Sequence, residues 1–543
     1  MGNNSEALNV SYASTGFLSK LVSEYITGNE QLKPFYQHPV SMEGVLDSIE
    51  ARKAYPTNRV LLVDELTKQY HGIALTGKQQ HNLRALLSKH TFTITTAHQP
   101  NIFTGPLYFI YKIIHVIKLA ANLKIKLPDY DFVPVYYMGS EDADLDELGY
   151  INLNGEKLVW QTNQTGAVGR MKVDKALLQM ITKIAGEIGI YPYGEELTEN
   201  FARCYTIGKT IQQATLELVN SLFAEYGLLI VIPDNTALKA SFNPFIEKEI
   251  VEQFSHQAVG ETIQELRKHY KPQAGGRELN LFYLIGHERE RIEIVKPDAS
   301  HLRETGLRYT VPSLQLDWNL EEIMAEAKAH PERFSANVIL RGLFQETILP
   351  NIAFIGGGGE LAYWLELKKV FALANVPYPM LILRNSFLLV KQNHEEKINK
   401  LGFAIGDLFS NEMELVNKLV RSHSEHQLSI DAEKAIIEKA YQQLKNAASA
   451  IDGTLSVHVD AMQKRAWKQL LELEKKMLRA EKRKFTEQQQ AISNLKRALF
   501  PNDNLQERVE NFAVYYSLQG KRWLGTIYDY SNTFEQTFCI LKQ

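Results

Sequence analysis

The chain has 543 residues, of which 45% are hydrophobic and 23% charged, with a formal net charge of −3 at pH 7. At roughly 100–150 residues per domain this allows two to four domains and a sizeable core, and neither a disordered nor a membrane composition fits. No cationic field draws in a nucleic-acid backbone, no run reaches the roughly 18 apolar residues of a spanning helix, and two cysteines, Cys204 and Cys539, exclude a disulfide scaffold.

The opening Met1-Gly-Asn-Asn-Ser-Glu6 lacks the basic and apolar regions of a signal peptide, so a cytoplasmic protein is expected. Glu6 also stands where a myristoylation signal needs Ser or Thr. Residues 1–90 read as short amphipathic helices, such as those carrying Leu61, Leu62, Leu66 and Leu83, Leu86, Leu87, packed on the core as a lead-in. Within them, Gly72 to Gln79 is one residue short of a P-loop, with Gln79 in place of the magnesium-binding hydroxyl and no strand before it.

From Thr91 the pattern becomes strand, turn and helix. Thr91 to Ala97 is rich in β-branched residues, His98 to Pro106 is a loop punctuated by Gly and Pro, and a largely buried helix runs from about Pro106 to Lys124. Lys112, His115, Lys118 and Asn122 form the one polar stripe on that helix. Phe132 to Met138 and Leu228 to Ile232 are apolar enough for interior parallel strands. Between them, short strands at 157–161 and 170–173 mix with helices. A two-stranded pattern follows at 281–285 and 290–295, then strands at Asn351 to Gly356 and Met380 to Leu383 flanking a helix from about Glu360 to Ala374. Strands alternating with helices in this way predict an α/β fold with a doubly wound parallel sheet over 91–385, carrying insertions at about 150–225 and 255–335.

Residues 386–500 change character. Ile430, Ile437, Leu444 and Ile451 repeat every seven residues, as do Leu471, Leu478, Phe485, Ile492 and Leu499, so two rods joined near Gly453 are expected to form a long antiparallel helical hairpin. Glu474, Glu481 and Gln488 at the d positions make its seam thin, and a homodimer contact is the natural way to cover it. Pro501 ends the second rod, and 501–543 form a C-terminal segment returning to the core.

An open parallel sheet puts its chemistry where strands end and helices begin, which here means His98 to Gly105 and Gly356 to Gly359. Neither segment is a dinucleotide fingerprint, because Leu361 occupies the place of the last glycine. Glu141, Asp142, Asp144, Asp146 and Glu147 follow a buried strand; Glu147 and Leu153 break the EF-hand pattern, leaving a solvated acidic face or a site for Mg²⁺ or an amine. Arg341, Gln345 and Glu346 share a helical turn or so, where Arg341 can fork onto a carboxylate or phosphate, or simply pair with Gln345 or Glu346. His423 and His426 lack partners with metal-ligand spacing, so no zinc is expected.

Taken together, Thr95 to Tyr108, Tyr137 to Glu147, Arg341 to Pro350, Ile355 to Trp364 and Gln506-Glu-Arg508 resemble the BshC family, the cysteine ligases of bacillithiol biosynthesis. One departure is Ala97, where the family loop carries glycine. The resemblance implies a Rossmann-like core related to class I nucleotidyl-transfer enzymes, connecting-peptide insertions and a dimer-forming coiled coil. It also implies addition of L-cysteine to glucosaminyl-malate; forming that amide requires an activated carboxylate, for which ATP with Mg²⁺ is expected. On that reading His98, Asp142 and Asp144 are the catalytic candidates, the two aspartates also for Mg²⁺ or the glucosamine ammonium. The binding candidates are Gln99, Asn101, Thr104, Gly105, Tyr108, Glu141, Arg341, Gln345, Gly357, Gly358, Glu360, Tyr363, Trp364 and Arg508, with Arg341 and Gln345 on the malyl carboxylates. Two other readings are another ATP-dependent ligase or nucleotidyl transferase with a small-molecule acceptor, and a non-enzymatic dimeric scaffold that binds a metabolite.

Overall fold

The computed structural model describes residues 6–296 and 306–543; the N-terminal hexapeptide read above lies, apart from Glu6, outside them. In chain order, strand β1 (Ala7–Ser11) is followed by short helices that include α1 (Met42–Lys53). The core begins with β2 (Thr91–His98), α2 (Tyr108–Lys126), β3 (Asp131–Met138) and β4 (Leu229–Val231). An inserted hairpin, β5 (Leu281–Ile285) and β6 (Glu288–Arg291), pairs with β7 (Phe334–Ala336) and leads into α3 (Val338–Ile348). The core ends with β8 (Asn351–Gly356), α4 (Gly358–Trp364) and β9 (Met380–Leu383). Beyond it come β10 (Phe387–Val390), α5 (Asp431–Ile451), α6 (Leu455–Lys482), α7 (Thr486–Leu499), α8 (Gln506–Val509) and β11 (Thr537–Lys542).

The central sheet is parallel and runs β9-β8-β2-β3-β4. The first core strand therefore lies between the second and the fourth, which is the doubly wound order and fixes a switch point between β2 and β8. Helices cover both faces, so β2, β3 and β8 are buried almost end to end. Pro134 sits within β3 but just outside the stretch Val135 to Tyr137 that β4 pairs, where a missing N–H is tolerated.

Several local expectations change. The lead-in is not purely helical: β1 pairs antiparallel with β11, and β11 runs parallel to β10, so the first and last strands share a small sheet. The partner of β1 lies more than 500 residues away in sequence, and the mostly exposed strand carries no periodic core face to announce it. Residues 168–170 form a 3₁₀ turn rather than the start of a strand. The helix expected over 360–374 is broken into Gly358–Trp364 and Lys368–Ala374, and the break holds Glu366, whose buried carboxylate accepts backbone N–H groups of Gln273 and Ala274.

The hairpin reverses at Asp452 to Thr454, and its second rod is interrupted by a 3₁₀ turn at Arg483–Phe485. No residue of α5 is buried. The thin seam carries ion pairs, Lys434 to Glu474 at 2.8 Å and Lys445 to Asp460 at 2.7 Å, while Ile436, Ile451 and Val457 are 70%, 83% and 71% exposed. Among the described residues, no helix is long and apolar enough to cross a membrane.

The lead-in is fastened by a buried ion pair. Arg52 of α1 reaches Glu346 of α3 at 2.5 Å and also donates to the carbonyls of Glu346 and Asn351. Glu346 in turn accepts from Gln345 and Asn351, and Asn351 takes the hydroxyls of Thr93 and Thr95. Removing one partner strands a charge in the core, so Glu346→Ala is expected to cost about 3–5 kcal/mol in urea unfolding. A loss below about 1 kcal/mol, the worth of an exposed pair, would contradict this account.

Candidate functional site

A cavity of about 590 Å³ opens at the carboxyl ends of the core strands. Its wall takes Ala97, His98 and Gln99 from the end of β2, Gly139 and Asp142 from the end of β3, and Gly357 to Gly359 from the end of β8. Arg384 enters after β9, Arg341 from α3, Tyr363 from α4, and Arg508 from α8 in the C-terminal segment. Phe282, Arg289 and Arg291 come from the inserted hairpin, and Gln273, Gly275 and Arg277 from the loop before it. The wall thus carries seven lysine and arginine side chains against Asp142, Glu147 and Glu360.

Asp142 is the hub of one end. Both its oxygens bond to the Arg341 guanidinium, Gln99 Nε2 donates to it at 3.0 Å, and Arg289 approaches to 3.7 Å. Burial alone would raise its pKa, but the two arginines and these hydrogen bonds outweigh burial and hold it below the usual carboxylate range. Burial pulls the Arg289 pKa down to about 10, partly offset by Asp142 and reinforced by Arg341. At the other end, Lys112 pairs with Glu360 and donates to the Ala97 carbonyl at 2.9 Å. Glu360 Oε2 also accepts the Gly357 N–H at 2.7 Å. The anion expected at this helix start is therefore the chain's own carboxylate.

Arg384 lies deep in the same end. It pairs with Glu507 at 2.8 Å and donates to Asn385 and Ser386, while its buried Nε has no partner among the described residues. A buried Nη1 of Arg291 is likewise unpartnered. His98 Nε2 is 3.4 Å from the Tyr108 hydroxyl. Burial first, then the charges of Lys112 and Arg384, push its pKa well below the ordinary 6.5, so the imidazole is neutral. Burial, with Asp144 and Asp142 close by, raises the pKa of Glu147 instead.

Of the residues singled out from the sequence, His98, Gln99, Tyr108, Asp142, Arg341, Gly357, Gly358, Glu360, Tyr363 and Arg508 line this one cavity. The others are placed elsewhere. Asp144 is exposed and caps the short helix Leu145–Leu148 by accepting from Glu147 N. Glu141 is turned behind the wall, paired with Lys239 and accepting from Ser335. Asn101 and Thr104 are buried, and the Gly105 carbonyl accepts from Asn511, so this loop seals onto the C-terminal segment rather than offering N–H groups to a ligand. Gln345 is spent on Glu346, and Trp364 packs in the core, 4.6 Å from Phe354 between ring centroids. Arg341 pairs with neither Gln345 nor Glu346, because Asp142 offers both oxygens to its fork. Asp142 and Asp144 do not form a magnesium site: one carboxylate is committed to Arg341 and Gln99, and the other to a helix cap.

Lys112, Arg277, Phe282, Arg289, Arg291 and Arg384 were not singled out as site residues. Lys112 was visible as part of the polar stripe on a buried helix. Arg289 and Arg291, two apart on a strand and so on one face, were a legible pair whose destination was not. Cys204 and Cys539 are buried and lie outside the cavity wall.

Family comparison agrees with this architecture. Residues 5–385 match the BshC N-terminal Rossmann-like domain of bacillithiol biosynthesis, and residues 387–543 match the BshC C-terminal coiled-coil domain. A Flavobacterium johnsoniae protein named "Putative cysteine ligase BshC" is 38% identical over 98% of this chain and 99% of its own length. Proteins of the same name from Flavobacterium psychrophilum and Christiangramia forsetii are 39% and 38% identical, each over 98% of this chain and over 99% and 98% of their own lengths. The chain belongs to the BshC family of bacillithiol biosynthesis.

The charge environment of His98 has a direct readout. Its imidazole carbon and nitrogen shifts, followed by NMR, are expected to stay those of the neutral ring as the pH falls from 8 through 6.5. Because the unfolded chain then binds a proton that the folded site refuses, this residue removes stability as the pH drops below about 6.5. A midpoint at or above 6.5 would contradict the burial and cation effects described.

Proposed function

We propose that this cavity joins the carboxylate of L-cysteine to the amine of glucosaminyl-malate, the last step of bacillithiol biosynthesis, with ATP as energy source. The names of the relatives support cysteine as a substrate, and one structural observation carries the chemistry: a strand-end cavity lined by six arginines and Lys112 against three carboxylates, with a buried nitrogen of Arg384 and one of Arg291 unpartnered among the described residues. Such a wall fits anionic substrates and a polyphosphate. ATP, when bound, supplies the phosphoryl or nucleotidyl group that turns one cysteine carboxylate oxygen into a leaving group.

The chain's own residues then have distinct tasks. Arg508 and the one unpartnered nitrogen of Arg384, whose other nitrogens are held by Glu507, Asn385 and Ser386, meet the two malyl carboxylates, in place of the committed Arg341 and Gln345. The incoming amine forms the new C–N bond and gives up a proton. His98, kept neutral, accepts a hydrogen bond from that amine without repelling it, but its low pKa makes it a weak proton store. Glu147, with its raised pKa, lines the cavity and takes the proton. The Asp142–Arg341 pair holds Gln99 and the ends of β2 and β3 in register.

Purified protein given cysteine, glucosaminyl-malate and ATP is expected to release the thiol product, and Glu147→Gln to lower kcat by about 10²–10⁴-fold with KM little changed. Absence of product under every metal condition would overturn the ligation reading. An unchanged kcat in Glu147→Gln would remove that residue as the base.

The exposed apolar residues of the hairpin support a homodimer formed through it. Ile436→Lys with Ile451→Lys and Val457→Lys is expected to halve the mass measured by sedimentation equilibrium. A wild-type protein that sediments as a monomer at micromolar concentration would rule the dimer out.

A further inference from the structure

The inserted hairpin and the loop before it balance Arg277, Arg289 and Arg291 with Glu278, Glu288 and Glu290 in sequence, but of these six only the three arginines line the cavity. In the β5–β6 register Phe282 stands opposite Arg291 and Leu284 opposite Arg289. Arg289 and Arg291 share a strand face, and their guanidinium carbons lie 3.9 and 4.6 Å from the Phe282 ring centroid. Arg289 is fixed from behind, with Nε donating to Ser335 Oγ at 3.0 Å and Nη2 to the Ala336 carbonyl at 3.2 Å. Arg277 arrives from a loop without regular structure that is nevertheless held: the buried Glu366 carboxylate accepts the Gln273 N–H at 2.6 Å and the Ala274 N–H at 3.2 Å.

Among the described residues, only Arg289 of these three comes within 4 Å of a carboxylate, and that one, Asp142, is already committed to Arg341. Arg291 keeps its buried, unpartnered Nη1. Three guanidinium forks converging on one end of a cavity exceed what a single carboxylate can satisfy. They match the many oxygens of a polyphosphate chain.

We propose that Arg277, Arg289 and Arg291 form the polyphosphate subsite of the cavity and take the phosphates of a nucleoside triphosphate, an assignment to a nucleotide that rests on the ATP-dependent ligation proposed above. The nucleotide phosphates then sit on the inserted hairpin rather than on the loop 98–105 or the Gly357 helix start. The opposite end, with Arg384 and Arg508, is left to the carboxylates of the acceptor.

Isothermal titration of the full chain with inorganic tripolyphosphate, ATP and AMP, at fixed ionic strength, tests this without turnover. Arg277→Gln and Arg291→Gln are each expected to weaken tripolyphosphate and ATP binding about tenfold and together about a hundredfold, while Arg508→Gln leaves tripolyphosphate binding within about twofold. ATP is expected to bind tighter than tripolyphosphate; equal affinity would assign the subsite to free polyphosphate and overturn the nucleotide assignment. No binding by wild type, or unchanged affinity in the double variant, overturns the subsite itself. The exposed Arg277 carries the test alone if Arg291→Gln melts below wild type in circular dichroism. Polyphosphate binding that persists without thiol product would remove the ligation reading and leave the subsite standing.

Discussion

The cavity is lined by more cation than anion, and the structure around it is organised by the few carboxylates that make its buried cations tolerable. An isolated guanidinium taken out of water costs several kcal/mol, so each deep cation needs a counter-ion or a ligand. Asp142 serves Arg341 and, more distantly, Arg289; Glu360 serves Lys112; Glu507 serves Arg384. These carboxylates come from the end of β3, the start of α4 and the C-terminal segment, and pairing them draws those parts of the chain onto one wall. The nitrogens left over, at Arg384 and Arg291, have no partner among the described residues.

The same constraint explains why the segment after the hairpin belongs to the site. Glu507 accepts from Ser386 and from the Phe387 N–H besides pairing with Arg384, so α8 is held against the strand that follows the core. Asn511 closes the loop 98–105 by donating to the carbonyls of Phe103 and Gly105. The small sheet β1-β11-β10 fixes the last strand beside the first. The helical hairpin thus interrupts a segment that returns to complete the cavity with Arg508.

The doubly wound order dictates where the cavity lies, but not what it binds. The switch point between β2 and β8 leaves an opening above His98 and Gly357, and nearly any anion suits such a place. Here the Gly357 N–H is already satisfied by Glu360, and residues 101–105 are buried against the C-terminal segment. The rest of the wall is dominated by arginine side chains, whose forks suit planar carboxylates and phosphates.

By itself the sequence determined the alternation of buried strands and helices, the heptad rods and the placing of chemistry at strand ends, because each is written in the local periodicity of apolar residues and in Gly and Pro punctuation. It brought His98, Gln99, Asp142 and Glu360 forward for the same reason, since they stand at or near those ends, and Arg341 as a guanidinium sharing a helical turn with Gln345 and Glu346. What only the tertiary structure decided is which polar groups face one another. Asp144 and Asp142 are two residues apart, yet one caps a short helix and the other neutralises an arginine almost 200 positions away. Arg52 finds Glu346, Glu366 finds the backbone of Gln273, and Arg289 and Arg291 reach the cavity from an insertion that reads as an ordinary hairpin. Long-range ion pairs leave no local period, because a charged side chain needs only one partner, wherever in the chain the fold happens to bring it.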